Sequence, residues 1–151
     1  MDRKGPLVVL EYPGGKGGGM TSIRYQQQVL AGPLLDFYND MKVLRGYMPF
    51  QQDGAPSHTS RSTAWWLSSH NIPQFFHPPS SPDLNPIEPL WLELKRALYH
   101  HNHTPTTIQQ LKDFARMAWD QISVETVNGH IGRMHDRVAA VIVAKGGHTQ
   151  F

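Results

Sequence analysis

Residues 51–60 read QQDGAPSHTS and residues 78–96 read PPSSPDLNPIEPLWLELKR; the fold turns on how these two stretches are joined. Met48 to Gln52 has the composition of a strand, stopped by Asp53-Gly54-Ala55-Pro56. Thr59 to Ser69 is helical in composition, Ile72 to Phe76 is strand-like, and Pro78 to Pro82 is a proline-serine loop. From Pro86 to about Tyr99, Ile87, Leu90, Trp91, Leu94 and Leu98 recur on one helical face. Strand, helix, strand and helix in alternation indicate an α/β layer.

Working outward, Leu7 to Leu10 is a short apolar run that reads as a buried strand. The glycine-rich loop at 13–19 follows it, but Lys16 precedes the last three glycines and no Ser or Thr follows it directly, which excludes a phosphate-binding P-loop. Thr21 or Ser22 is placed to cap a helix running to about Leu30; Gly32-Pro33 should break it, with a second piece from Leu34 to about Asn39. Toward the other end, Thr107 to Ile122 places Ile108, Leu111, Ala115, Ala118 and Ile122 inward. Ser123 then caps a last helix with Val127, Ile131, Met134, Val138 and Val141 inward, closed by Gly146-Gly147. The expectation is an α/β layer with a helical C-terminal cap, residues 1–151 forming one partial domain.

Composition narrows the function classes. Hydrophobic residues at 39% and charged residues at 17% are those of a globular protein, and no run of about 18 apolar residues offers a membrane span. The absence of cysteine excludes disulfides and thiolate metal sites, and the N-terminus lacks an apolar secretion signal. A net charge of +2 permits a polyanionic partner without requiring one.

Between positions 53 and 85 the only charged side chains are Asp53, Arg61 and Asp83. A carboxylate in so charge-poor a setting wants a cation, a metal or backbone amides. Glu88, on the first turn of the following helix, is a second hard oxygen donor, and a pair of such donors from different elements suits Mg²⁺. Equally, Asp53-Gly54 is a common turn dipeptide, and Asn85-Pro86-Ile87-Glu88 has the order of an N-cap, a first-turn proline and a capping box. Both readings stand on the residues alone.

QQDGAPSHTS and PPSSPDLNPIEPLWLELKR closely resemble two motifs of the mariner-type cut-and-paste transposases, in which a catalytic Asp ends a strand and a catalytic Glu follows in SPDLNPIE. These positions fall on Asp53 and Glu88, with 34 residues between them, the spacing of the branch that ends in Glu. The likeness extends to PLVVLEYPGGKGGGMTS and RVAAVIVAKGGHTQF, covering nearly the whole chain. It implies a ribonuclease H-like fold, truncated at the N-terminus, and metal-dependent DNA strand cleavage and transfer. Two Mg²⁺ or Mn²⁺ ions would be held partly by Asp53 and Glu88, with transposon-end and target DNA as partners and a homodimer allowed for. It also implies a nuclear location, with no small-molecule cofactor and no membrane. The family's first catalytic Asp and its helix-turn-helix region have no counterpart here; Glu11, Asp36 and Asp40 fall in segments matching non-catalytic parts. This chain alone is therefore expected to be inactive. Its alternative is a transposon-derived remnant acting as a nucleic-acid-binding or oligomerisation module, and an RNA-processing nuclease is disfavoured by SPDLNPIE. Loss of the first strand should leave Leu7 to Leu10 as an unpaired edge and make the chain poorly soluble or oligomeric.

Other residues fill lesser roles. His58 suits DNA contact or orientation of Asp53, and equally a turn. Asn85 is the expected N-cap, and Asp83 a loop-ordering turn residue rather than a rival acid. Trp91, Trp65, Trp66 and Trp119 read as core or interface. Lys95, Arg96, Arg133 and Arg137 are candidate phosphate contacts. His100, His101 and His103 lack acidic or cysteine partners at ligand spacing, and zinc is not expected.

Overall fold

The computed structural model describes residues 3–15, 18–100 and 104–151; Lys16, His101 and His103, weighed above, lie outside them. The chain divides into two compact units: Val8–Ser80, and residues 3–7 together with Ser81–Phe151. No helix among the described residues is long and apolar enough to cross a membrane.

In the first unit Thr21 caps α1 (Ser22–Tyr25), its hydroxyl accepting from the Arg24 N–H. The expected break at Gly32-Pro33 does not occur. A π-helical segment, Gln26–Leu34, carries Pro33 and runs directly into α2 (Leu35–Arg45). Proline lacks an N–H and crowds the carbonyl four residues back, and a wider turn relieves both demands. Gly46, at φ +75°, turns the chain out of α2.

Two short parallel strands follow, β1 (Phe50–Gln51) and β2 (Gln74–Phe75), with Phe50 opposite Gln74 and Gln51 opposite Phe75. Between them lie α3 (Pro56–Thr59) and α4 (Arg61–Ser69), the latter capped by the Ser60 hydroxyl on the Thr63 N–H. Leu7 to Leu10 forms no strand. The sheet among the described residues has two strands, and an extended apolar run without a partner has no ladder to join. Tyr25, Leu30, Tyr38, Leu67 and Ile72 make this unit's core, flanked by Met48, Phe50 and Trp66; Trp65 is exposed rather than packed.

In the second unit a 3₁₀ turn at Pro82–Leu84 leads into α5 (Glu88–Tyr99), followed by α6 (Ile108–Gln121), capped by Thr107. Where one final helix was expected there are two, α7 (Val124–Gly132), capped by Ser123, and α8 (Met134–Val143). Leu90, Leu94, Ala118, Trp119 and Val127 are buried together, with Leu7, Ile87, Leu98 and Ile122 against them. Ile108 and Leu111 of α6 and Val138 of α8 face solvent instead of the core. Trp119 takes the inner position: its indole N–H donates to the Gly5 carbonyl at 2.9 Å, and its ring stacks on Trp91, centroids 5.8 Å apart. The Lys4 ammonium lies over the same ring and donates to the carbonyls of Trp119 and Ile122, where the helix dipole favours a cation.

Candidate metal and nucleic-acid site

Asp53 stands where β1 gives way to α3, so the end of the strand fixes its backbone while its side chain remains 59% exposed. Its Oδ1 accepts the Ala55 N–H at 3.1 Å, closing an Asx turn, and lies 2.6 Å from His58 Nδ1. His58 is therefore an orienting partner of Asp53, since donation from Nδ1 engages one carboxylate oxygen. Oδ2 accepts no hydrogen bond among the described residues. Burial pushes this carboxyl's pKa up, but the Ala55 N–H, the hydrogen bond and charge of His58, and the charge of His77 outweigh it and hold the group below its ordinary value. Asp53 is thus an anion at neutral pH with one oxygen committed to the protein.

Behind this pair is a layer that the sequence did not reveal. The Tyr25 ring lies 4.2 Å from the His58 ring, and its hydroxyl donates to Gln52 Oε1 at 3.0 Å. Gln52 in turn donates to the His58 carbonyl at 3.1 Å. Burial, then the charge of Asp53, raise the Tyr25 phenol well above its ordinary pKa, keeping it a neutral donor. Gln52 sits within the quoted motif, whereas Tyr25 comes from a helix 27 residues earlier and carries no local signal. A cleft of about 410 Å³ opens beside Asp53, lined by His58, Thr59, Phe75, Phe76 and His77.

Glu88 occupies the first turn of α5 in the other unit and is exposed. Asn85 does not cap this helix directly; helical geometry starts two residues later than the capping-box reading requires, and Ile87 occupies the cap position. Asn85 instead shapes the approach: Oδ1 accepts the Ile87 N–H at 3.3 Å, its N–H donates to the Pro82 carbonyl, and its carbonyl accepts from the Glu88 N–H. Lys95 and Arg96 lie exposed further along α5. Arg137, read as a phosphate contact, is 4% exposed and is not available for that role. Its guanidinium donates to the Asp83 carbonyl at 2.9 Å, while the Asp83 carboxylate accepts from Thr149 at 2.8 Å, so Asp83 orders its loop as expected. His100 ends α5.

As donors, Asp53 Oδ2 and the Glu88 carboxylate are hard oxygens suited to Mg²⁺ or Mn²⁺. No group of three or more His, Cys, Asp or Glu side chains able to hold a metal ion is gathered among the described residues. Each acid by itself fits a divalent ion in kind.

A family model described as DDE superfamily endonuclease matches residues 49–112, a span that includes both acids. The Tc3 transposase of Caenorhabditis elegans is 38% identical over 114 residues, covering 73% of this chain and 35% of that protein. The chain belongs to the Tc/mariner family of DDE transposases. The Tc1 transposase of the same organism is 37% identical over 109 residues, covering 71% of this chain and 38% of that protein. The chain thus spans little more than a third of the curated family members it matches. Among solved structures, the catalytic domain of Mos1 mariner transposase superposes with a TM-score of 0.75 at 23% identity, covering 89% of this chain and 66% of that one. The fold is accordingly the ribonuclease H-like fold of DDE catalytic domains, present here in part. The Mos1 catalytic domain has also been solved with raltegravir and Mn, and superposes equally well.

Proposed function

We propose that the chain carries two metal-binding carboxylates, Asp53 and Glu88, of a transposase catalytic domain that in its complete form cleaves and rejoins DNA in the nucleus. The observation that carries this reading is the state of Asp53: ionised, exposed, placed at a strand end inside the family-matched segment, with His58 and Ala55 engaging Oδ1 and leaving Oδ2 open. Divalent metal supplies activation of an attacking hydroxyl and stabilisation of the leaving oxygen at phosphorus. The chain's own part is to present carboxylate oxygens in fixed orientation. His58 holds the Asp53 rotamer, the Tyr25–Gln52 pair backs His58, and Asn85 ties the entry of α5. Mg²⁺ or Mn²⁺ suits these oxygen donors, in keeping with the Mos1 structures solved with either metal.

Transposon-end DNA is the proposed partner, as in the paired-end complex of Mos1 transposase, with a second copy of the chain as a further partner. Lys95 and Arg96, exposed on the helix that bears Glu88, are placed to meet phosphates. Mn²⁺ titration followed by electron paramagnetic resonance tests the assignment. Binding should be lost in Asp53→Asn and weakened in Glu88→Gln. Binding that is unchanged in both variants, or absent from the unaltered chain, overturns it.

A further inference from the structure

We propose that Thr149 and Arg137 are positioning residues for Glu88, acting from the C-terminal tail and α8 through the turn that precedes α5. This rests on the reading of Glu88 as a metal ligand. The turn is held by three backbone bonds in sequence: Leu84 N–H to Ser81, Asn85 N–H to Pro82, and Glu88 N–H to Asn85, at 3.2, 2.9 and 3.3 Å. None of these is strong enough to fix the stretch from Ser81 to Glu88 against solvent, and two of the three are long.

What fixes the turn comes from far along the chain. The Thr149 hydroxyl donates to Asp83 Oδ2 at 2.8 Å, 66 residues away, and the Arg137 guanidinium donates to the Asp83 carbonyl at 2.9 Å, 54 residues away. One residue of the turn is therefore gripped by side chain and backbone at once, and Asp83, Arg137 and Thr149 are all at least nine-tenths buried. The tail is itself secured. Gly146, at φ +80°, lets the chain leave α8; the Phe151 N–H donates to Thr149 Oγ1 at 3.2 Å; and the Phe151 ring lies 4.8 and 5.0 Å from the guanidinium carbons of Arg137 and Arg133. Arg137 Nε remains buried without a partner among the described residues, a cost accepted only where the rest of the group is tightly used. A grip on Asp83 reaches Glu88 in five residues through the Asn85 bonds, so tail and α8 set where the first turn of α5 begins.

Amide hydrogen exchange on the full chain, with Thr149→Val, Thr149→Ser and Phe151→Ala, tests this. Thr149→Val should speed exchange of the Leu84, Asn85 and Glu88 amides about tenfold, as loss of a hydrogen bond to a charged group implies, while leaving the α6 amides unchanged. Thr149→Ser should restore protection, and Phe151→Ala should repeat the effect should the valine variant fold poorly. Turn amides that exchange as in the unaltered chain, or α6 amides accelerated equally, overturn the proposal. Mn²⁺ affinity should fall in Thr149→Val and return in Thr149→Ser; affinity unchanged in Thr149→Val, where Glu88→Gln lowers it, overturns the positioning role. An unaltered chain that binds no Mn²⁺ instead defeats the metal-site reading of Glu88, and the exchange pattern still decides whether the turn is held from the tail.

Discussion

Thr63 shows how the orientation of Asp53 depends on a buried hydroxyl two helices away. Thr63 is completely buried on the first turn of α4, where its hydroxyl donates to the Ser57 carbonyl at 2.7 Å and accepts from the Ser60 hydroxyl at 3.0 Å and from Gln26 Nε2 at 3.3 Å. Ser57 adjoins His58, so this bond anchors α3 beneath the Asp53–His58 pair. Thr63→Val keeps the shape and removes the hydroxyl. It forfeits one buried bond, worth about 1 kcal/mol, and leaves the Ser57 carbonyl without that donor, at about 1–3 kcal/mol. A total near 2–4 kcal/mol should lower Tm by roughly 4–16 °C for a chain of this size. Thermal and urea unfolding followed by circular dichroism measure it, with Thr63→Ser as the comparison that retains the hydroxyl. A valine variant within about 0.5 kcal/mol of the unaltered chain would refute the reasoning, as would a serine variant that loses as much as valine, since surface-like neutrality is what an unused hydroxyl predicts.

Leu67→Ala, at the centre of the core of Tyr25, Leu30, Tyr38 and Ile72, should cost about 2–5 kcal/mol in urea unfolding; a loss under about 1 kcal/mol would mean the site collapses without a cavity. Ser123→Ala removes the acceptor of the Thr126 N–H at the start of α7 and should cost about 1 kcal/mol by the same assay, with Ser123→Asp recovering most of it. The Thr149 hydroxyl, then the backbone N–H donors of Asp83 and Thr149 and the charge of His148, hold the Asp83 carboxyl below its ordinary pKa against the opposing effect of burial. A depressed folded-state pKa gives stability that is present above the unfolded value, near 4, and lost as pH falls through the folded value. Stability measured from pH 7 down to pH 2 should therefore fall less steeply on the acid side in Asp83→Asn, and an unchanged acid limb would contradict the contact.

Local chemistry was legible and distant partnership was not. Thr21, Thr107 and Ser123 each announce a helix start, because an N-cap is settled within four residues by a hydroxyl and a backbone N–H. The helix expected over 59–69 appears as α4 from Arg61, with Thr59 ending α3, and the strands around Gln51 and Gln74 are shorter than the apolar runs suggest. Leu7 to Leu10 has the look of a strand and forms none, because four apolar residues look alike in a strand and in a segment without one, and only a pairing partner separates them. Pro33 signals a break in sequence because the rule concerns α-helical bonding and says nothing of a wider turn. The α6 stripe rotated toward Trp119 because Lys4 and Gly5, more than 110 residues upstream, supply its partners. At the site, Asp53 and His58 fall within one short motif and could be found together, whereas Tyr25 and the burial of Arg137 depend on neighbours 27 and 54 residues away.

The attachment of Lys4 to the end of α6 has a consequence for the order in which the molecule is made. The unit formed by Val8–Ser80 is a continuous length of chain and can close once Ser80 has left the ribosome. The other unit is split, and Lys4 must wait 115 residues for the Trp119 carbonyl and 118 for that of Ile122. At synthesis rates of about 5–20 residues per second, that is an interval of roughly 6–24 s. For that time the Lys4 ammonium and the Leu7 side chain wait without the partners they have in the finished fold. Holding such a segment apart from premature partners is a task for its lysine charge and for chaperones, and mutations that make it more apolar should reveal themselves first as lower yield from translation rather than as a lower melting temperature.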